Sequence, residues 1–330
     1  MLGLKFFKNK RAKVSVVALC VLVVLSVFAE VICNDKPLLV KYDGEYFFPV
    51  VKAYTDARFG GDFPTEANYF DPLIKKNIEE NGYMIMPIIP FSHDTVDYEL
   101  DEPFPAKPSQ RHILGTDEEG RDVFARLLYG IRLSFLFSLI LTGIASIIGV
   151  IVGAMQGYFG GKVDIIFQRV IEIWDSMPQM FVLIIVASVF KPSFWTLIAV
   201  LLLFSWSELT GVVRAEFLRA RNFEYVKAAK ALGVSHFRII LRHILPNALV
   251  SVITFVPFIL AGGIVALTAL DFLGLGLGHE YPSLGDLVRQ GKDNLEAPWI
   301  GLSVFFVMSV VLSLLIFVGE GVRDAWDKRK

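Results

Sequence analysis

The chain has 330 residues, 54% of them hydrophobic, with a mean hydropathy of +0.56 and a formal net charge of −1. That apolar load exceeds a soluble domain's, where roughly 45–50% of residues are apolar even with Gly counted, and the near-zero charge excludes a global basic field for nucleic acid. The two cysteines, Cys20 and Cys33, stand about 20 Å apart on a helix rising about 1.5 Å per residue, too far for a disulfide, so a disulfide scaffold and a Cys-based metal site are excluded.

A membrane span needs about 20 mostly apolar residues. The first candidate runs from Val14 to Cys33, behind Lys5, Lys8, Lys10, Arg11 and Lys13. The same basic start, with Val27-Phe28-Ala29 after an apolar run, also fits a signal peptide; cleavage would leave five spans and an external N-terminus. Ile32 is too bulky for the residue before a lipidated Cys33. Residues 34–132 then form the one long polar stretch, rich in Pro and in aromatics: Tyr42, Tyr46, Phe47, Phe48, Tyr54, Phe59, Phe63, Tyr69 and Phe70. Pure disorder carries few aromatics, so a small, irregular, partly folded lid is expected. Its aromatics pack on the lid itself or on a partner.

Five more spans follow, from about Leu133 to Met155, Val163 to Phe190, Phe194 to Val213, Ala248 to Leu270 and Ile300 to Val318. Cytoplasmic stretches carry excess Lys and Arg. The N-terminus has five such residues. The loop before the fifth span has Arg214, Arg219, Arg221, Lys227, Lys230, Arg238 and Arg242, and the tail has Arg323, Lys328, Arg329 and Lys330. Both termini are therefore expected in the cytoplasm. The organisation predicted is a cytoplasmic N-terminus and first helix at 1–33, a periplasmic lid at 34–132, a permease core at 133–320 with a coupling loop at about 214–246, and a cytoplasmic tail at 321–330.

Catalytic patterns are missing. Around Gly157, Gln156 and Val163 replace the opening Gly and the hydroxyl of a P-loop, and His279-Glu280 lacks the second His of a zinc helix. The Gly-rich run Asp271–Gly278 follows a span, not a strand. No catalytic residue, metal site or cofactor is expected in this chain; ATP and magnesium, if they drive it, are used by another subunit.

The stretch Glu224–Asn247 reads as two short helices. The first is Ala-rich, Gly233 suits a left-handed C-terminal cap, Ser235 suits the next N-cap, and Pro246 is expected to end the second helix before the fifth span. Small Ala228 and Ala229 leave a knob thin enough for another protein's groove, with Leu232 as its apolar anchor. This stretch resembles the EAA loop of ABC importer permeases, matching at Ala228, Ala229, Gly233, Leu245 and Pro246 and departing at Lys227 and His243. The strings His112–Val123 and Asp271–Gly285 resemble turns of the dipeptide and oligopeptide (OppC/DppC-like) branch. The long segment after the first span is similar to the permease of a peptide importer that also takes up microcin C.

The resemblance implies an all-α polytopic protein with the type I ABC importer (MetI-like) transmembrane fold. It implies a heterodimer with a second permease, ABC ATPase subunits that receive Glu224, Lys227, Ala228, Ala229, Leu232, Gly233, Leu245 and Pro246, a periplasmic peptide-binding protein, and a multi-pass location in the bacterial inner membrane. The cargo implied is peptides or peptide-like compounds, microcin C among them. The rival class is an ion-coupled secondary transporter, which would want matched broken helices in paired repeats.

His112 with the acids of its string admits two readings, a metal or acid–base cluster and a turn fixing the second span's start. Glu30, Arg169, Glu172, Asp175 and Glu208 fall in or near spans, where charges are costly and face cavities or partners. Arg169 and Glu172 are placed to pair. Pro178 is expected to kink the third span just after Asp175, which makes Asp175 and Pro178 the candidate translocation path; an interfacial salt bridge is the other reading of Asp175.

Overall fold

The computed structural model describes residues 9–326. Lys5, Lys8, Lys328, Arg329 and Lys330 lie outside them. The chain forms two compact units. One takes Ser134–Gly278 with the described parts of Met1–Cys20 and Ser309–Lys330; the other takes Val21–Leu133 and His279–Met308.

The long helices follow the apolar runs. Helix α1 (Lys10–Val27) starts where Asn9 Oδ1 accepts from Arg11 N at 3.1 Å, and a four-residue helix α2 (Ala29–Ile32) follows a break at Phe28. Helix α3 (Pro72–Asn81) belongs to the polar segment. Helices α4 (Val123–Phe159), α5 (Gly161–Asp175), α6 (Gln179–Val189) and α7 (Phe194–Ala220) follow, then the short α8 (Glu224–Ala231) and α9 (His236–Arg238). A π-helical turn over Ile239–Ile244 leads into α10 (Leu245–Phe272), and α11 (Leu284–Asp293) and α12 (Pro298–Trp326) close the chain. Among the described residues four helices are long and apolar enough to cross a membrane, and a fifth span arises if α5 and α6 count as one. Helix α1 has 18 residues and contains Lys10, Arg11 and Lys13, so its apolar part is shorter than the run Val14–Cys33.

The third predicted span is two helices and not one kinked helix: α5 and α6 meet at 68°. Pro178 supplies no N–H and holds an extended backbone (φ −66°, ψ 108°) at the start of α6, and that conformation cannot continue a helix. Its neighbour α7 starts cleanly, with Ser193 Oγ accepting from Thr196 N at 3.2 Å.

Within the Ser134–Gly278 unit, α4 and α7 touch backbone to backbone along Gly149, Gly153 and Gly157. A Cβ on Gly153 would lie 2.6 Å from Thr210 O and 2.8 Å from Val213 Cβ; on Gly157 it would lie 2.5 Å from Arg214 O. Small residues at four-residue spacing permit such approach, which matters where lipid gives no hydrophobic drive between helices. Ser138 Oγ adds a bond to Leu260 O at 2.5 Å, joining α4 to α10.

The other unit is mixed. Strands β1 (Leu39–Tyr42), β2 (Glu45–Phe47) and β3 (Gly82–Ile85) form an antiparallel sheet ordered β2-β1-β3, with Val40 opposite both Phe47 and Met84. Asp71 caps α3 by accepting from Leu73 N at 2.8 Å, and Pro72 fills its first turn. Buried Phe59 meets Phe47, Tyr42 and Tyr69 edge to face at 5.4–5.7 Å, over Val40, Ile74 and Ile78. Tyr42, Phe47, Tyr54, Phe59 and Tyr69 thus pack on one another, while Tyr46, Phe48 and Phe63 are exposed; the segment's small sheet is the part an all-α expectation leaves out.

The string His112–Val123 is a buried ionic turn. Asp122 caps α4 through Ala125 N at 2.8 Å and binds His112 Nδ1 at 2.8 Å, while His112 Nε2 meets Asp97 at 3.0 Å. Asp117 is shared by Arg121 and Arg126, and Arg126 reaches Asp286 at 3.1 Å. Asp97, His112, Asp117, Asp122, Arg126 and Asp286 are all buried. Burial works against charge on His112, but its hydrogen bonds to Asp122 and Asp97 outweigh that and raise its pKa.

Candidate functional site

Helix α8 is short because it is closed tightly. Val234 N donates to Ala229 O at 3.1 Å and Gly233 N to Lys230 O at 3.0 Å, with Gly233 at φ 75°. These are the two bonds of a Schellman motif, which requires the left-handed residue Gly supplies most easily. Ser235 stands at the N-cap of α9 as expected, but its side chain makes no capping bond.

The loop has two faces. Val226 and Ala229, three apart, point inward and pack with Phe217, Ile239, Ile244 and Ala248. Burying a side chain the size of Val226 stabilises by about 1.5–3 kcal/mol, so α8 is seated rather than free. Glu224, Ala228 and Leu232 recur every four residues on the outer face; Leu232 is 83% exposed. The pairing of Ala228 with Ala229 in one outward knob is corrected: their 100° separation on a helix sends one out and one in, and the smallness of Ala229 serves the inner packing. Lys227 Nζ binds Glu224 Oε1 at 2.9 Å on the surface.

Pro246 does not end the second helix. Helix α9 continues through the π turn into α10, and Pro246 sits in the first turn of α10. A residue lacking N–H is tolerated in a helix's first turn, and the wider π turn before it takes up the backbone mismatch. Leu245 is half-buried and Pro246 exposed.

Residues that sequence reasoning passed over hold the loop in place. Tyr158, in the last turn of α4, is buried; its hydroxyl meets His236 Nδ1 at 2.7 Å and its ring lies 4.8 Å from Lys230 Nζ. Arg214 clamps Asp164 with two bonds of 2.5 and 2.8 Å, so this loop arginine is not a free surface charge. A polar-tipped aromatic ending an apolar span was the available signal for Tyr158.

Asp175 and Pro178 are both exposed at the α5–α6 break, and Asp175 lies within electrostatic range of Glu208. Arg169 and Glu172 pair at 2.5 Å as expected. Trp174 Nε1 and Trp206 Nε1 both donate to Leu203 O, at 2.7 and 2.8 Å. No hydrogen bond or ion pair described for the loop reaches Asp175 or Pro178. Among the described residues no group of three or more His, Cys, Asp or Glu is arranged to hold a metal ion.

Known proteins resemble this chain along its length. The inner membrane ABC transporter permease protein YejE of Escherichia coli K12 is 52% identical over 326 residues, covering 99% of this chain and 96% of that protein. The peptidoglycan transport system permease protein YejE of Agrobacterium fabrum is 48% identical, covering 98% and 91%. The oligopeptide transport system permease protein OppC of Lactococcus lactis IL1403 is 34% identical, covering 71% and 81%. A chain of the MetNI methionine ABC transporter, solved in an inward-facing conformation, shares the fold at a TM-score of 0.52 and 17% identity over 61% of this chain and 97% of that one. Residues 131–330 match the family described as binding-protein-dependent transport system inner membrane component. With its apolar helices, its MetI-like core and the seated loop between α7 and α10, the chain belongs to this family, as a multi-pass inner-membrane permease protein.

Proposed function

We propose that this chain is one permease subunit of an ABC importer for peptides or peptide-like compounds, and that a separate ATPase docks on α8. The observation that carries the docking is the two-faced loop: Val226 and Ala229 anchor it to the helices while Ala228 and Leu232 stay exposed. An exposed apolar edge on a rigidly seated helix suits a groove on a partner. The peptide cargo is supported by the names of the relatives, which are permeases of oligopeptide, dipeptide and peptidoglycan transport systems. Microcin C falls within the same peptide-like class.

The full reading has α1 as a sixth span, both termini in the cytoplasm, a second permease forming the path at a shared interface, and a periplasmic binding protein delivering cargo. The chain itself does no covalent chemistry and binds no cofactor; ATP and magnesium are used by the ATPase. Asp175 beside the α5–α6 break meets the cargo's charge or a neighbouring one. The test is co-purification of the tagged chain with the ATPase encoded beside it, for wild type and Gly233→Asp. Recovery with wild type and loss with the variant supports the docking loop. No ATPase in any mild detergent would remove the importer reading and make an ion-gradient assay the next step.

A further inference from the structure

The polar segment carries a cavity of about 430 Å³ whose lining includes Asp35, Phe70, Phe91, Asp97, Tyr98, Glu99 and Arg111. That volume falls in the range of about 300–1,000 Å³ typical of small-molecule sites. We propose that this cavity recognises an ammonium group carried beside an apolar side chain, as at the free amino end of a short peptide. The inference rests on the peptide-import reading and names where the cargo, or its leading end, is first held by this chain.

The charge count points to a cation. Three carboxylates line the cavity against one guanidinium, and that guanidinium is occupied: Arg111 Nε meets Asp97 at 2.7 Å and its terminal nitrogen meets Glu99 at 2.8 Å. Behind the wall, His112 is held between Asp97 and Asp122. Asp35 is left over. Its chain neighbour Lys36 turns to Glu66 instead, and among the described residues no basic side chain comes within 4.0 Å of Asp35. Burial, with Asp94 nearby, pushes the Asp35 carboxyl above its ordinary range, as happens to a half-buried carboxylate short of a counter-charge. An ammonium ion would supply that charge.

The apolar part of the ligand has its own walls. Phe70 stacks on buried Phe91 at 6.0 Å and 9°, giving a fixed aromatic surface. Tyr98 stands 85% exposed at the rim. Aromatic faces accept both apolar side chains and cations. An anion would meet the three carboxylates, and a bare metal ion would find Asp97 and Glu99 already bound to Arg111.

The experiment uses the assembled transporter, this chain with its second permease and ATPase, in lipid nanodiscs without the binding protein. Equilibrium binding is measured for Phe-Ala-Ala and for its N-acetylated form. Wild type is expected to hold the free-amine peptide about tenfold more tightly, the ratio that about 1.4 kcal/mol confers. Asp35→Asn should bring the two peptides within about twofold while Asp35→Glu restores the preference, and Tyr98→Ala should weaken both peptides alike. Equal binding of the two peptides by wild type, or an unchanged preference in Asp35→Asn, overturns the proposal. An unaltered melting temperature excludes misfolding as the cause of a lost preference. ATP-driven uptake of Phe-Ala-Ala in proteoliposomes with the binding protein is scored separately. Its absence counts against the import reading, while the nanodisc comparison decides the cavity.

Discussion

The two units of this chain hold themselves together by different chemistry. Around Gly149, Gly153 and Gly157 the backbone of α4 lies directly against the carbonyls and Cβ atoms of α7. Around Asp117, Arg126 and Asp286 it is buried charge against buried charge. In lipid, apolar side chains gain little by leaving solvent, so close approach and dispersion must do the joining. At the polar turn, dense ion pairing fixes geometry even where its net contribution to stability is small, because removing one partner leaves the other charged and buried.

The sharpest way to break that contrast is Arg126→Met. It removes the guanidinium that joins Asp117 to Asp286, leaving Asp117 to Arg121 and Asp286 to Arg289. A loss approaching that of a broken buried pair, about 3–5 kcal/mol, is expected, read as a fall in melting temperature in detergent and in yield. Gly153→Ala tests the other mode. Its methyl must fit 2.6 Å from Thr210 O, so a cost of about 1–3 kcal/mol is expected from overpacking; a variant as stable as wild type would show that the helices are freer than the seam implies.

Gly233→Ala comes next. At φ 75° a Cβ is strained, and about 1–2 kcal/mol of local stability should be lost. The expected readout is faster hydrogen exchange across 224–234, with the rest of the chain unaffected. His112 sharpens the comparison through pH. Its folded pKa is raised, so its contribution is complete below the unfolded value of about 6.5 and declines as pH rises through the folded value. Proteolytic protection of residues 97–122 should fall on that rise in wild type and lose that dependence in His112→Gln. The smallest effect belongs to Lys227→Ala, since the Lys227–Glu224 pair is exposed and such pairs contribute little; melting should not change measurably, and a change in ATPase recovery alone would mark Lys227 as a contact residue.

Much of the fold was legible because it rests on local rules. Apolar runs gave the long helices, Pro178 marked the break between α5 and α6, and Gly233 marked the end of α8. Less was legible where distant residues decide. Ala229 looked like the twin of Ala228 until packing against Ile239 and Ile244 turned it inward. Pro246 looked like a stop because the π turn over Ile239–Ile244 has no sequence signature of its own. The aromatics of 34–132 announced a core, but not the β2-β1-β3 pairing that frames it.

What the amino-acid sequence determined by itself is the membrane character of the chain, the approximate position of its long apolar helices and the place of the loop between α7 and α10. Those follow from hydropathy, helix propensity and the backbone limits of Gly and Pro, which act over a few residues. Only the tertiary structure decided that Arg126 would meet Asp286 across 160 residues of chain, that Tyr158 would hold His236, and that Asp35 would be left beside a cavity without a basic partner. Such pairings depend on which surfaces a folded chain brings together, and no local rule encodes that.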